Sequence, residues 1–236
     1  MSADSDPLDV ALLTRASFWN VPVQVLEETT SSNDVVLRLG EAGASHGTLL
    51  FAERQTAGRG QFQRPWFSGK PQGLWFSLLL RMEISDATIP LLSSFAAVAL
   101  AETLHESGFP EARIKAPNDL YLSGRKIAGI LVETRPGKNP FAVVGIGLNV
   151  NQEAEDFPPE LQHHATSLRM ASKKFWNRNE VAAVLLKRLG VSEQLMRQNP
   201  TALLSQWRAL EVVPKVPARR VAGDSGTEAR RWGGSV

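Results

Sequence analysis

The stretch 112–135, "ARIKAPNDLYLSGRKIAGILVETR", constrains the fold most. Two strand-like runs meet in it at Ser123-Gly124, a pair suited to a tight hairpin because glycine accepts the positive φ that such turns require. A hairpin makes its strands antiparallel neighbours, so the chain is not a regular βαβ alternation. Further strand-like runs are "VPVQVLEET", "HGTLLFAERQ", "GLWFSLLLRM" and "FAVVGIGLNVNQ". Helical spacing runs through "TIPLLSSFAAVALAETLHESG", where Leu91, Leu92, Phe95, Val98 and Ala99 recur and Gly108 ends the run. Another helix is expected over "DPLDVALLTR", capped by Asp6 with Pro7 in its first turn. "SSNDVVLRLGEAG" follows, with Ser31 or Ser32 as cap and Gly43 as stop. "NRNEVAAVLLKRLGVSEQLMRQN" opens on an Asn177–Glu180 capping box, and "PTALLSQWRAL" opens on Pro200. The sum is an α+β fold, a mixed β-sheet with helices packed on one face.

At 236 residues and 43% apolar, the chain buries a sizeable core. It has no cysteine, which removes disulfides, thiolate zinc ligands and a thiol nucleophile. "MSADSDPLDVALLTR" carries acids where a signal peptide carries basic residues, and no apolar run reaches a membrane span. A cytoplasmic protein with no membrane partner is expected. The net charge of +2 is a mild bias. Part of it sits on Arg219, Arg220, Arg230 and Arg231, so the body is near neutral, which argues against a nucleic-acid binder. After Val213 the sequence loses all periodicity and is expected to be mostly disordered or loosely docked.

Four polar segments stand out. "TTSSND" at 29–34 reads as a helix cap, and the same helix start offers free N–H groups to a ligand. "ERQTAGRGQFQRPW" places Arg59 between Gly58 and Gly60, which permits close backbone approach to a ligand or simply makes an exposed turn. "KAPNDLYLSGRKIAGILVE" sets Lys126 at the start of a buried strand, either snorkelling, paired with a carboxylate or facing a ligand. Ala128 and Gly129 beside it leave room on the strand. In "GIGLNVNQ", Asn149 and Asn151 share one face by alternation and serve either a loop or a ligand.

In this order the segments resemble the catalytic domain of biotin–protein ligases, over roughly residues 25–210. Ser31-Ser32-Asn33 is similar to the family's Ser-Thr-Asn, "QTAGRGQFQRPW" to its glycine- and arginine-rich loop, and "KAPND" to its Lys-Trp-Pro-Asn-Asp. "RKIAGIL" and "GIGLNVN" resemble family strands, and "ATSL" at 165–168 also looks familial. The resemblance implies a class II synthetase-like fold with residues 1–24 as an N-terminal segment, 25–212 as the catalytic domain and 213–236 in place of a small β-barrel. It implies two steps: biotin and ATP give biotinyl-5′-AMP, then a lysine of a biotin carboxyl-carrier domain of a biotin-dependent carboxylase takes the biotinyl group. Mg²⁺ accompanies the ATP.

By resemblance, Ser31, Ser32, Asn33, Gln55, Gly58, Gly60, Gln61 and Gly129 surround biotin, while Arg59 and Lys126 meet its carboxylate. Arg64, Trp66, Lys115, Asn118, Asp119 and Asn149 face the nucleotide. Arg59, Lys126 and Lys115 are the expected catalytic cations, and Asp119 the metal-linked carboxylate. No DNA partner is expected, since residues 1–24 hold no helix-turn-helix; self-association as a homodimer is left open. Three departures are visible: Gln61 and Gln63 replace an arginine and a glycine, Ala116 replaces a tryptophan, and the C-terminal barrel is not recognisable. Gln61 is expected to weaken electrostatic retention of the adenylate. The alternatives are a lipoate- or octanoate-transferring relative, or a biotin-binding protein with impaired transfer.

Overall fold

A computed structural model describes residues 6–212. The expectations for the tail after Val213 and its missing barrel fall outside the described residues. Strands are β1 (Gln24–Thr29), β2 (Leu49–Gln55), β3 (Gly73–Arg81), β4 (Arg113–Lys115), β5 (Asp119–Leu122), β6 (Arg125–Arg135) and β7 (Phe141–Asn149). Helices are α1 (Val10–Ala16), α2 (Ser32–Glu41), α3 (Ile89–Glu106), α4 (Leu168–Ser172), α5 (Arg178–Gln198) and α6 (Pro200–Leu210). Among the described residues the strands form one mixed sheet in the order β1-β2-β3-β7-β6-β5-β4. Only the β1–β2 pair is parallel.

The hairpin at Ser123-Gly124 is present, with φ of 49° and 79°. The run 112–122, however, is two strands. β4 and β5 pair with each other around Ala116-Pro117-Asn118, because proline offers no N–H to continue a ladder.

Alternation divides the sheet into two unlike faces. On one face Leu49, Phe51, Leu74, Phe76, Leu78, Leu80, Val144, Ile146 and Leu148 join α3 and α5 in the main core. α3 is buried along most of its length, which is why its sequence is apolar nearly all round. On the other face Leu50, Leu79, Phe141 and Val143 receive Val36 and Leu37 of α2. The helices therefore do not all lie on one face, as the sequence suggested. α2 has its own apolar stripe and caps the second face at one end, leaving the other end open. No helix among the described residues is long and apolar enough to cross a membrane.

The N-terminal segment is packed into the body: Leu8, Leu13, Trp19 and Val23 lie in the main core. Asp9, not Asp6, caps α1, accepting from the N–H groups of Ala11 and Leu12. Asp6 is occupied elsewhere. It takes Arg178 Nε at 2.8 Å and the Arg178 backbone N–H at 2.6 Å, while Arg178 Nη1 reaches Glu53 at 2.7 Å. The start of α5 is capped by Asn177, whose side chain accepts from the N–H groups of Asn179 and Glu180.

Arg178 is 1% exposed and ties the N-terminal segment, β2 and α5 together. Breaking a buried pair leaves its partners charged and alone. Arg178→Met is expected to lower unfolding stability by about 3–5 kcal/mol in urea titration.

Candidate functional site

The open end of the second face is built by glycines. Strand register aligns Trp75, Gly147, Gly129 and Asp119 in one row across β3, β7, β6 and β5. The next row holds Ser77, Gly145 and Leu131. Where other strands raise side chains, this patch is bare backbone, and other groups lie directly on it. The Trp66 indole covers Gly147, and a Cβ at Gly129 would come within 3.0 Å of it. Trp66 also meets Trp75 edge-on, with ring centres 6.1 Å apart. Asn33 occupies the space over Gly145.

Around this floor lies a cavity of about 530 Å³. Of the residues singled out in the sequence, Ser31, Ser32, Asn33, Gln55, Arg59, Gly60, Gln61, Arg64, Trp66, Asn118, Asp119, Lys126, Gly129 and Asn149 line it. Gly58 and Lys115 do not. Gly58 sits behind the loop, where a Cβ would strike Trp66 O, 2.6 Å away. Lys115 is exposed on edge strand β4 and donates to Tyr121 Oη at 3.2 Å. Tyr121, Phe62 and the segment Phe157, Glu160, Leu161 and His164 also line the cavity. Nothing in their local sequence marks them out.

Lys126 reaches the cavity because of a bulge. The register shifts between Leu120 and Tyr121, so Tyr121 faces Lys126 while Asp119 faces Gly129. One extra residue on β6 thus lets Lys126 and Gly129 share a face although they are three apart. Ile127 and Ala128 both turn into the core; Ala128 therefore gives no room to a ligand, contrary to the sequence reading. Lys126 Nζ lies 2.6 Å from Asp119 Oδ1 and 5.3 Å from the centre of the Trp66 ring. The "ATSL" segment holds this strand start in place: Lys126 N donates to His164 O, and Thr166 N to Lys126 O.

A connected polar network forms the wall between α2 and the floor. Ser31 occupies the cap position of α2, but its side chain makes no capping bond. Ser32 N donates to Gln55 Oε1 at 2.8 Å, and Gln55 Nε2 to Ser68 Oγ at 3.0 Å. Ser77 Oγ lies 2.8 Å from Ser32 Oγ and donates to Asn33 Oδ1 at 2.5 Å. Asn33 Nδ2 donates to Glu133 Oε2 at 2.8 Å. Arg59 then completes the chain, forking onto Asp34 at 2.7 and 2.8 Å and reaching Glu133 at 3.4 Å. The guanidinium expected at a ligand carboxylate is thus held by two carboxylates of the protein. Ser77, Asp34 and Glu133 escaped the sequence reading.

The asparagines divide between roles. Asn118 Nδ2 donates to Ile130 O and Asn149 Nδ2 to Thr166 O, so each fixes backbone at the cavity rim. Asn151 lies beyond the end of β7 and exchanges hydrogen bonds with the Trp176 backbone. It does not share the site with Asn149, because the alternation stops with the strand. In the loop, Phe62 and Gln63 adopt φ of 57° and 59°. Gln63 thus holds a left-handed conformation at the position where the resemblance has glycine, a conformation that disfavours a side chain by about 1–2 kcal/mol.

Residues 25–151 match the model of the biotin/lipoate A/B protein ligase family. The chain belongs to this family. Among its relatives, the bifunctional ligase/repressor BirA of Bacillus subtilis is 40% identical over 145 residues, which are 61% of this chain and 45% of that protein. The present chain thus spans less than half the length of that relative. The biotin–[acetyl-CoA-carboxylase] ligase of Mycobacterium tuberculosis is 32% identical over 224 residues, 87% of this chain and 76% of that one. In structure, the Aquifex aeolicus biotin protein ligase solved with biotin and ATP superposes with a TM-score of 0.70 at 32% identity, covering 80% of this chain and 78% of that one. Membership agrees with the sheet, the glycine floor and the loop described above.

Two outcomes follow from this geometry. Gly147→Ala places a methyl group against the Trp66 indole and is expected to cost about 1–3 kcal/mol of stability and to shift Trp66 fluorescence. Trp66→Phe in the same background would abolish the spectral change. Asp34 has its carboxyl pKa lowered by the hydrogen bond from Arg59. A depressed folded-state pKa stabilises above the unfolded value, and that contribution is lost as pH falls through the lower folded one. Urea titrations across the acid limb should therefore show a pH dependence that Asp34→Asn reduces.

Proposed function

We propose that this protein attaches biotin to a lysine of a biotin carboxyl-carrier domain, using ATP and passing through biotinyl-5′-AMP. The observation that carries the reading is the Lys126 ammonium beside the Trp66 indole that lies on the glycine floor, in a cavity walled by Ser31, Ser32, Asn33 and Gln55. A flat, neutral ring with polar edges suits an aromatic surface and that polar wall. The biotin- and ATP-bound Aquifex structure, 32% identical, supports biotin over lipoate as the substrate.

The first step brings two anions together, a carboxylate and the α-phosphate of ATP. The carboxylate oxygen bonds to phosphorus and pyrophosphate leaves. Lys126 supplies positive charge where the two meet, and pre-placed charge of this kind is effective in a site shielded from water. Trp66 contributes that shielding. Asp119 holds Lys126 in place, and Arg64, with no carboxylate partner among the described residues, is available to phosphate. In the second step the carrier's lysine amine attacks the acyl carbon and AMP leaves, so this chain needs no nucleophile of its own.

Mg²⁺ fits as an ion brought with ATP. Among the described residues no cluster of three or more acidic or histidine ligands exists, and Mg²⁺ commonly binds one carboxylate besides substrate phosphates and water. Asp119 is the carboxylate for that role, and the ion would neutralise phosphate charge there. Gln61 lines the cavity without adding charge, which favours earlier escape of the adenylate than an arginine there would allow.

Mass spectrometry of a carrier domain incubated with the protein, biotin and Mg-ATP is expected to show one added biotinyl group. Lys126→Ala should slow this by about a hundredfold or more. Pyrophosphate exchange driven by lipoate and not by biotin would overturn the assignment.

A further inference from the structure

We infer that Arg59 acts on the glycine-rich loop through Asp34, and that Asp34 is the residue that positions this loop over the floor. The inference deepens the reading of the site as a biotin-adenylating one and rests on it for the ligand's identity. The geometry of Arg59 is that of a tether. Two of its N–H groups fork onto the two oxygens of Asp34, and a third contact reaches Glu133. One cation between two carboxylates presents no excess positive charge to an arriving anion. Asp34 stands in the first turn of α2, where the helix N-terminus favours a negative charge, so the anchor stays ionised.

What the tether fixes is a small closed loop. Trp66 N donates to Gly58 O at 2.8 Å and Gly60 N to Arg64 O at 2.8 Å, so residues 58–66 fold back on themselves with Arg59 near the crossing. Holding Arg59 therefore holds the backbone of Gly60 at the cavity wall and that of Gly58 behind it. It also holds the Trp66 indole flat on Gly147 and Gly129. The anchor lies on the same helical turn as Ser32 and Asn33. One ion pair thus sets the distance between the ligand-facing turn and the covering loop. Lys126, whose Nζ would stand 3.4 Å from a Cβ at Gly129, is the cation that faces the floor.

The opposite arrangement makes a different prediction. If the Arg59 guanidinium left Asp34 to bind the ligand's anion, then neutralising Asp34 would free it and tighten binding. The test compares wild type, Asp34→Asn, Arg59→Gln, the double variant and Arg59→Lys. Hydrogen exchange of amides 57–67 is followed in the ligand-free protein, and biotin binding by calorimetry. Both single variants are expected to speed loop exchange and to weaken biotin by about ten- to a hundredfold, the worth of a charge-assisted hydrogen-bond pair. The double variant should be no worse than the stronger single one, and Arg59→Lys should not rescue.

Tighter biotin binding by Asp34→Asn, unchanged loop exchange, or multiplying effects in the double variant would each overturn the tether. Melts that stay cooperative, with binding and exchange measured well below their midpoints, separate a positioning role from general unfolding. Because the exchange experiment uses no ligand, it stands apart from the substrate assignment. A wild-type protein that fails to bind biotin, yet whose loop loosens as expected in the variants, would sink the proposed substrate and leave the tether in place.

Discussion

A β-sheet lets other groups lie on its backbone only where its side chains stand aside. In this protein that condition is met by Gly129, Gly145 and Gly147 on two paired strands, with the strand register bringing the first and last directly opposite each other. The arrangement of the rest follows. α2 is confined to the end of the face that keeps apolar residues, Trp66 and Asn33 come down onto bare backbone, and the charged residues collect at the margins. On the reverse face the same strands carry Ile127, Ala128, Ile130, Ala142, Val144, Ile146 and Leu148, so the floor rests on a dense core.

The wall of the site is a chain of hydrogen bonds that runs from Gln55 through Ser32, Ser77, Asn33 and Glu133 to Arg59. Its members come from a helix, three strands and a loop far apart in sequence. Such a network is stable as a whole and costly when cut, because each buried polar group depends on the next. The polar groups nearest the floor are therefore set in position before any ligand arrives. The least enclosed part of the wall is the loop tip, where Phe62 is 86% exposed and two successive residues hold left-handed backbone.

The sequence announced the hairpin, the long buried helix and the four polar segments, because each has a local signature: Ser-Gly at a turn, apolar spacing, glycine next to arginine. It did not announce Ser77, Asp34 or Glu133. A serine within a leucine-rich strand, an acid in a first helical turn and an acid after "ILV" are ordinary in isolation, and only the strand register joins them. Asp6 looked like a helix cap by the same local logic, and the demand of buried Arg178 for a partner overrode it. Asn151 looked like the companion of Asn149 because alternation was extended two residues past the end of its strand.

The bulge opposite Tyr121 gives the hairpin a property that residue identity alone does not describe. Side chains on a strand change face with every residue, so the position of Lys126 depends on a count. Without the bulge, the three-residue step from Gly129 would exchange the faces of Lys126 and Ile127. The ammonium would enter the leucine core and a branched hydrocarbon would stand beside Asp119. Length in this short segment is therefore under as strict a constraint as chemistry.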